Sequence, residues 1–110
     1  MPVCQVTVVP LGTATPSLSS YVAGCQKVLA QYKDVKYHLT PMATVMEGQL
    51  DRILEAVQEM HEVPFQMGAQ RVSTTLVIDD RRDKPLSMKG KVNAVEAKLA
   101  RDKKGRSACR

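Results

Sequence analysis

Hydrophobic and polar residues alternate over residues 3–9, VCQVTVV. Cys4, Val6 and Val8 point one way, and Val3, Gln5, Thr7 and Val9 point the other. A period of two, rich in β-branched residues, predicts a strand. PLGTATP (10–16) reads as a loop. Thr15 can cap a helix and Pro16 suits its first position. Leu18, Tyr21, Val22, Cys25, Val28, Leu29 and Tyr32 then follow three-and-four spacing, which predicts an amphipathic helix over about residues 16–32. VKYHLT (35–40) predicts a second strand, with Tyr37 and Leu39 on one face and His38 and Thr40 on the other. Pro41 and Ala43 mark a break, and TVMEG (44–48) a short third strand. Leu50, Ile53, Leu54, Val57 and Met60 return to helical spacing and carry a second helix to residue 63 or 67. Gly68 is its natural terminator. Pro64 falls inside this helix, where it removes the hydrogen bond to the Met60 carbonyl and crowds it. A kink or an end near Val63 is therefore expected. RVSTTLVIDD (71–80) is the fourth and longest strand, with Val72, Thr74, Leu76 and Ile78 opposite Ser73, Thr75, Val77 and Asp79. After the charged turn RRDKP, residues Met88, Val92, Val95 and Leu99 predict a shorter final helix.

The order β-α-β-β-α-β plus a terminal helix is that of an α+β, ferredoxin-like domain, the split βαβ arrangement. Right-handed crossovers put the two main helices on one face of an antiparallel four-stranded sheet. Residues 1–100 form this single domain, and 101–110 are expected to be a basic, disordered tail. The opposite sheet face carries Val3, Gln5, Thr7, Val9, His38, Thr40, Ser73, Thr75 and Val77. It is half apolar, and contiguous apolar exposure calls for a partner. A homodimer or homotetramer through this open face is expected.

Composition changes the picture little, and charge narrows it. A chain of 110 residues can bury one core without metals or disulfides. The net charge of +5 suggests a nucleic-acid partner until it is located. Residues 98–110 hold six basic side chains against Asp102 alone, so the whole excess belongs to the tail. Bases would also find few rings to stack on, only Tyr21, Tyr32, Tyr37 and Phe65. No nucleic-acid partner is expected. No apolar run approaches the roughly 20 residues that span a membrane, and the start has no secretory pattern. The cysteines, Cys4, Cys25 and Cys109, are odd in number and lack metal-ligand spacing. Cys4 and Cys25 fall on apolar stripes, as reduced core residues of a cytoplasmic protein do. No metal site and no cofactor are expected.

Catalytic constellations are poor. His38 lies on a strand face, and His61 borders the second helix's apolar stripe as a packed histidine does. GTATPS (12–17) lacks the second glycine and the lysine of a phosphate loop. The charges of Asp79, Asp80, Arg81, Arg82, Asp83 and Lys84 cancel in a surface turn. The more suggestive segment is LTPMATVMEG (39–48). Thr40 and Thr44 offer hydroxyls, Met42 a thioether to lie against a ring, and Glu47 an acceptor for an amino group or a protonated ring nitrogen. A small planar polar ligand suits this set. A plain hairpin in which Glu47 and Gly48 open the second helix accounts for it as well.

The segments VTVVPLGT, PSLSSYVA, YHLTPMATVMEG, EMHE and IDDRRDK occur in this order. Together, over about residues 3–95, they resemble the family of small thiamine-binding proteins long catalogued as uncharacterised. The resemblance implies a ferredoxin-like fold, oligomers built through sheet faces, and binding of thiamine or its hydroxymethylpyrimidine moiety without catalysis. It carries Thr40, Met42, Thr44 and Glu47 over as ligand-binding positions, with Gly12, Thr13 and Ser17 added from the first loop. The role it implies is a carrier, buffer or sensor in thiamine metabolism. The alternatives are a structural or regulatory homo-oligomer with a decayed ligand site, and a salvage enzyme using Glu47 as acid or base. Ala43 stands where the family usually has glycine, and Pro64 where the family helix usually runs on.

Overall fold

The computed structural model describes residues 1–14 and 18–105. Its elements are β1 (Val3–Pro10), α1 (Ser19–Leu29), β2 (Lys36–Leu39), β3 (Thr44–Glu47), α2 (Leu50–Gln66), β4 (Val72–Asp79) and α3 (Met88–Gly105). The strands form one antiparallel sheet in the order β2-β3-β1-β4, the ferredoxin-like α+β arrangement expected from the pattern. The register follows the alternation. Cys4 lies between Met46 and Ile78, and Val6 between Thr44 and Leu76. These residues meet the helices, because β-strand side chains on neighbouring strands share faces at matching positions.

The core sits between that face and the two helices. Leu29, Met46, Ile53 and Ala56 are fully shielded, with Cys4, Val6, Cys25 and Met60 beside them. Cys4 and Cys25 are free thiols. Burial pushes both thiols above their ordinary range, and the Asp80 and Asp79 carboxylates add to the effect at Cys4. Helices α1 and α2 come close at Gly24, where an added Cβ would stand 2.7 Å from Val63 Cγ1. Helix α1 begins at Ser19, and the expected Thr15–Pro16 cap lies outside the described residues.

Helix α2 takes the later of its two expected ends: it runs through Pro64 to Gln66 and does not stop at Val63. The Met60 carbonyl, which a residue-64 N–H would normally serve, instead accepts the Cys25 thiol at 3.5 Å. Tertiary packing has supplied a substitute donor. The helix then closes at Gly68, whose φ of 102° is the left-handed conformation that glycine tolerates. Gly68 N–H bonds to the Phe65 carbonyl at 3.1 Å and Ala69 N–H to the Pro64 carbonyl at 2.9 Å, the paired bonds of a Schellman cap.

The final helix is also not short. At 18 residues α3 is the longest, and its last residues, 101–105, belong to the expected tail. The apolar period stops at Leu99, but strong helix formers continue beyond it. Residues 106–110 lie outside the described residues. Among the described residues no helix is long and apolar enough to cross a membrane.

Candidate functional site

The face of the sheet away from α1 and α2 is fixed by parity. It presents Val3, Gln5, Thr7 and Val9 from β1, Val45 and Glu47 from β3, and Lys36 and His38 from β2. Strand β4 adds Ser73, Thr75, Val77 and Asp79. The first turns of α3 lie across one end of this face. Met88 N–H donates to Glu47 Oε1 at 2.9 Å, and Lys91 forms an ion pair with Asp79. Between α3 and the sheet is a cleft of about 290 Å³ lined by Val3, Gln5, Val45, Val77, Met88 and Val92.

Glu47 is a buried carboxylate, only 5% exposed. Its neighbours engage both oxygens. Oε1 takes the N–H at the start of α3, a helix with no acidic residue in its own first turn. Oε2 faces Lys36 Nζ at 3.8 Å. A carboxylate at a helix N-terminus meets the positive end of the peptide dipoles. The two oxygens offer about four lone-pair positions, so capacity remains for a ligand.

The other residues expected at the site are dispersed. Thr44 is buried on the opposite face, packed toward the helices, and its hydroxyl accepts the Gln26 side-chain amide at 3.0 Å. Thr40 falls in the β2–β3 turn. Its hydroxyl donates to the Ala43 carbonyl at 2.7 Å and accepts the Ala43 N–H at 3.1 Å. Met42, at the tip, is 86% exposed. Gly12 and Thr13 line a separate cavity of about 490 Å³ with Leu11, Tyr21, Gly68 and Arg71. There the Leu11 N–H bonds to the Arg71 carbonyl at 2.8 Å, and Gly12 turns the chain at a φ of 73°. Ser17 lies outside the described residues.

These groups are far apart. Glu47 is level with Val3, whereas the Gly12 loop follows Pro10. Seven strand steps at about 3.3 Å place them roughly 23 Å apart. One subunit brings Gly12 and Thr13 together and leaves Glu47 alone at the far end. Sequence reasoning missed the α3 contribution, namely the Met88 N–H and the Val92 side chain. It also missed Lys36 and Val45, which share the Glu47 face. The signal for the latter two was present, since residues two apart on a strand point the same way.

The charged turn and His61 are engaged within the domain. Arg81 pairs with Asp83 at 2.6 Å and Arg82 with Asp80 at 2.9 Å, so the charged turn neutralises itself. His61 is a packed histidine, with Nδ1 2.7 Å from Thr74 Oγ1 and its ring edge-on to Phe65. Among the described residues no group of three metal-ligating side chains is found.

The sequence model of the family described as thiamine-binding protein matches residues 4–96. The chain belongs to this family. It is 46% identical to the UPF0045 protein YqgV of Bacillus subtilis, over 90% of this chain and 98% of that one. A UPF0045 protein of Methanothermobacter thermautotrophicus is 45% identical, over 86% and 96% of the two chains. The crystal structure of protein MJ1052 from Methanocaldococcus jannaschii superposes with a TM-score of 0.79 at 37% identity, covering 86% of this chain and 95% of that one.

Proposed function

We propose that the protein binds thiamine through its hydroxymethylpyrimidine half and holds it without chemical change, as a carrier, buffer or sensor in thiamine metabolism. Family membership over residues 4–96 supplies the ligand class. The observation that carries the placement is Glu47, a buried carboxylate beside an apolar cleft. An aminopyrimidine presents an amino donor and ring nitrogens, which a carboxylate can read. Val3, Val45 and Val77 offer apolar contact to the faces of a ring. At about 290 Å³ the cleft is at the lower end of small-molecule pockets, roughly 300–1,000 Å³, so it suits the pyrimidine rather than the whole vitamin.

The reading includes an oligomer that closes the open face. Val77 on that face is 51% exposed, and the α3 stripe Val92, Val95 and Leu99 is 55–59% exposed. A second copy laid over these residues would shield the cleft from water. The free thiols Cys4 and Cys25 suit a reducing, cytoplasmic setting.

Calorimetric titration with thiamine and with hydroxymethylpyrimidine tests the reading. Saturable heat is expected for both, with thiamine recovered unchanged by mass spectrometry. Absence of heat and of any thermal shift at millimolar ligand overturns it. A second reading, an oligomer with a decayed site, is favoured by one observation: the Thr40 and Thr44 hydroxyls are engaged within the subunit. An oligomer that no ligand stabilises is the result this second reading expects.

A further inference from the structure

Helix α3 meets the open face at two carboxylates of one row. Glu47, Val3 and Asp79 pair side by side across β3, β1 and β4, so both carboxylates stand on the same face. Two strand spacings put their backbones roughly 10 Å apart. The cleft of about 290 Å³ opens over this row, with Asp79 and Lys91 in its lining and Glu47 beside it through the Met88 N–H.

Helix α3 occupies both carboxylates, and the two contacts differ in kind. Met88 serves Glu47 with a backbone N–H, which cannot leave without the helix. Lys91 serves Asp79 with an ammonium on a flexible four-carbon stem, and both side chains of that pair are half-exposed. Such a pair is weak and easily exchanged. The helix does not need it to start. Ser87 Oγ accepts the Gly90 N–H at 2.9 Å, and the Ser87 carbonyl accepts the Lys91 N–H at 3.0 Å. Because α3 is capped by its own sequence, the Lys91 side chain can leave Asp79 with the helix intact. What it leaves is a carboxylate at the rim of a cleft walled by Val3, Val45, Val77 and Val92, where water screens charge less. The next cations along the chain, Arg81 and Arg82, are held by Asp83 and Asp80.

We propose that Asp79 is the counter-ion for a positively charged ring of the ligand, and that Lys91 holds this subsite until the ligand displaces it. The subsite rests on the thiamine reading and gives the bound vitamin a direction. The pyrimidine half lies toward Glu47, in the part of the cleft with room for one ring. The thiazolium half, joined to it through a single carbon, lies at the Asp79 end, and Lys91 turns out to solvent. The thiazolium nitrogen is quaternary and carries no N–H, so its charge is what a carboxylate can recognise. The site thereby prefers the cationic vitamin to neutral hydroxymethylpyrimidine.

Calorimetric titration with thiamine and with hydroxymethylpyrimidine, on the wild type, Asp79→Asn and Lys91→Met, tests this. The readout is the ratio of the two affinities, which a merely structural role for either residue would not move. Asparagine keeps the size of aspartate and loses its charge, so the preference for thiamine should fall about fivefold in Asp79→Asn. In Lys91→Met it should rise about two- to fivefold, because no internal cation competes. The double variant should match Asp79→Asn, since Lys91 acts through Asp79. A ratio unchanged by Asp79→Asn overturns the counter-ion role. A ratio lowered by Lys91→Met means that Lys91 holds the ligand and overturns the displacement. Heat from hydroxymethylpyrimidine but not from thiamine overturns the subsite while leaving pyrimidine binding in place; heat from neither overturns both.

Discussion

Replacing Glu47 by glutamine separates the two duties of its carboxylate. One duty is structural: Oε1 accepts the Met88 N–H at 2.9 Å and so fixes the start of α3 to the sheet. A glutamine carbonyl oxygen can accept the same bond. The charge is lost, and with it two small terms. The Lys36 contact at 3.8 Å involves a lysine side chain that is 77% exposed, and such pairs are worth about 0.2–1 kcal/mol. A negative charge at a helix N-terminus is worth about 0.3–1 kcal/mol. Glu47→Gln should therefore cost roughly 1 kcal/mol of stability. Glu47→Ala also removes the cap, which costs about 1 kcal/mol more. The other duty is the proposed recognition of the pyrimidine. A hydrogen bond to a charged acceptor contributes about 1.5–3 kcal/mol, and 1.4 kcal/mol is tenfold in affinity. Glu47→Gln should thus weaken thiamine binding about ten- to hundredfold while leaving the fold nearly intact. Urea denaturation and calorimetric titration on the same preparations give both numbers. Wild-type affinity in Glu47→Gln would refute the carboxylate's role in recognition. Equal destabilisation by Gln and Ala would refute the capping argument.

Two further predictions concern the core. Gly24→Ala should gain about 1 kcal/mol of helix preference. It must also place a methyl 2.7 Å from Val63 Cγ1, on a β-branched side chain whose rotamer a helix restricts, and overpacking costs about 1–3 kcal/mol. A net loss of about 1 kcal/mol, partly recovered by adding Val63→Ala, should appear in urea midpoints; a more stable Gly24→Ala would contradict the close approach of α1 and α2. Tyr32 donates its hydroxyl to Glu59 Oε1 at 2.7 Å, and that bond is the main cause of a pKa pushed up to about 12 from the usual 10. The unfolded chain releases this proton first, so the stabilisation is complete below pH 10 and declines as pH rises toward 12. Tyr32→Phe should flatten that alkaline decline in urea midpoints; an unchanged slope would assign it elsewhere.

The fold was legible because its signals were local and repeated. The alternation in VCQVTVV and VSTTLVID became β1 and β4 with the faces as read, and Gly68 closed α2 in the expected conformation. Pro64 left the end of α2 open between 63 and 67 because its effect is not local. The rule that a proline ends a helix assumes that the orphaned carbonyl finds no donor, and here Cys25, 35 residues away in sequence, provides one. The extent of α3 was missed for a different reason. Apolar periodicity reports which residues are buried, and α3 buries little. Val92, Val95 and Leu99 are all more than half exposed, so the helix rests on propensity and on its ties to Glu47 and Asp79.

The candidate site was legible by residue type and not by arrangement. The block LTPMATVMEG holds Glu47, and the family match spans residues 4–96 without singling that segment out. Joining Thr44 to Glu47 in one contact set overlooks parity. They are three apart on β3, so a pleated strand must send them to opposite faces. Thr44 answers to the helices through Gln26, and Glu47 answers to α3 and Lys36. Parity also says what Glu47 can be grouped with: Val45 on its own strand, Val3 and Gln5 on β1, and Lys36 on β2. Val3, Gln5 and Val45, with Val77 from β4 and Met88 and Val92 above them, line a largely apolar cleft whose charged residues are Asp79 and Lys91, and Glu47 lies beside it through its bond to the Met88 N–H. A linear motif could not show that arrangement, because two of its walls come from a helix more than 40 residues away, and its open side is the face on which a second copy is proposed to lie.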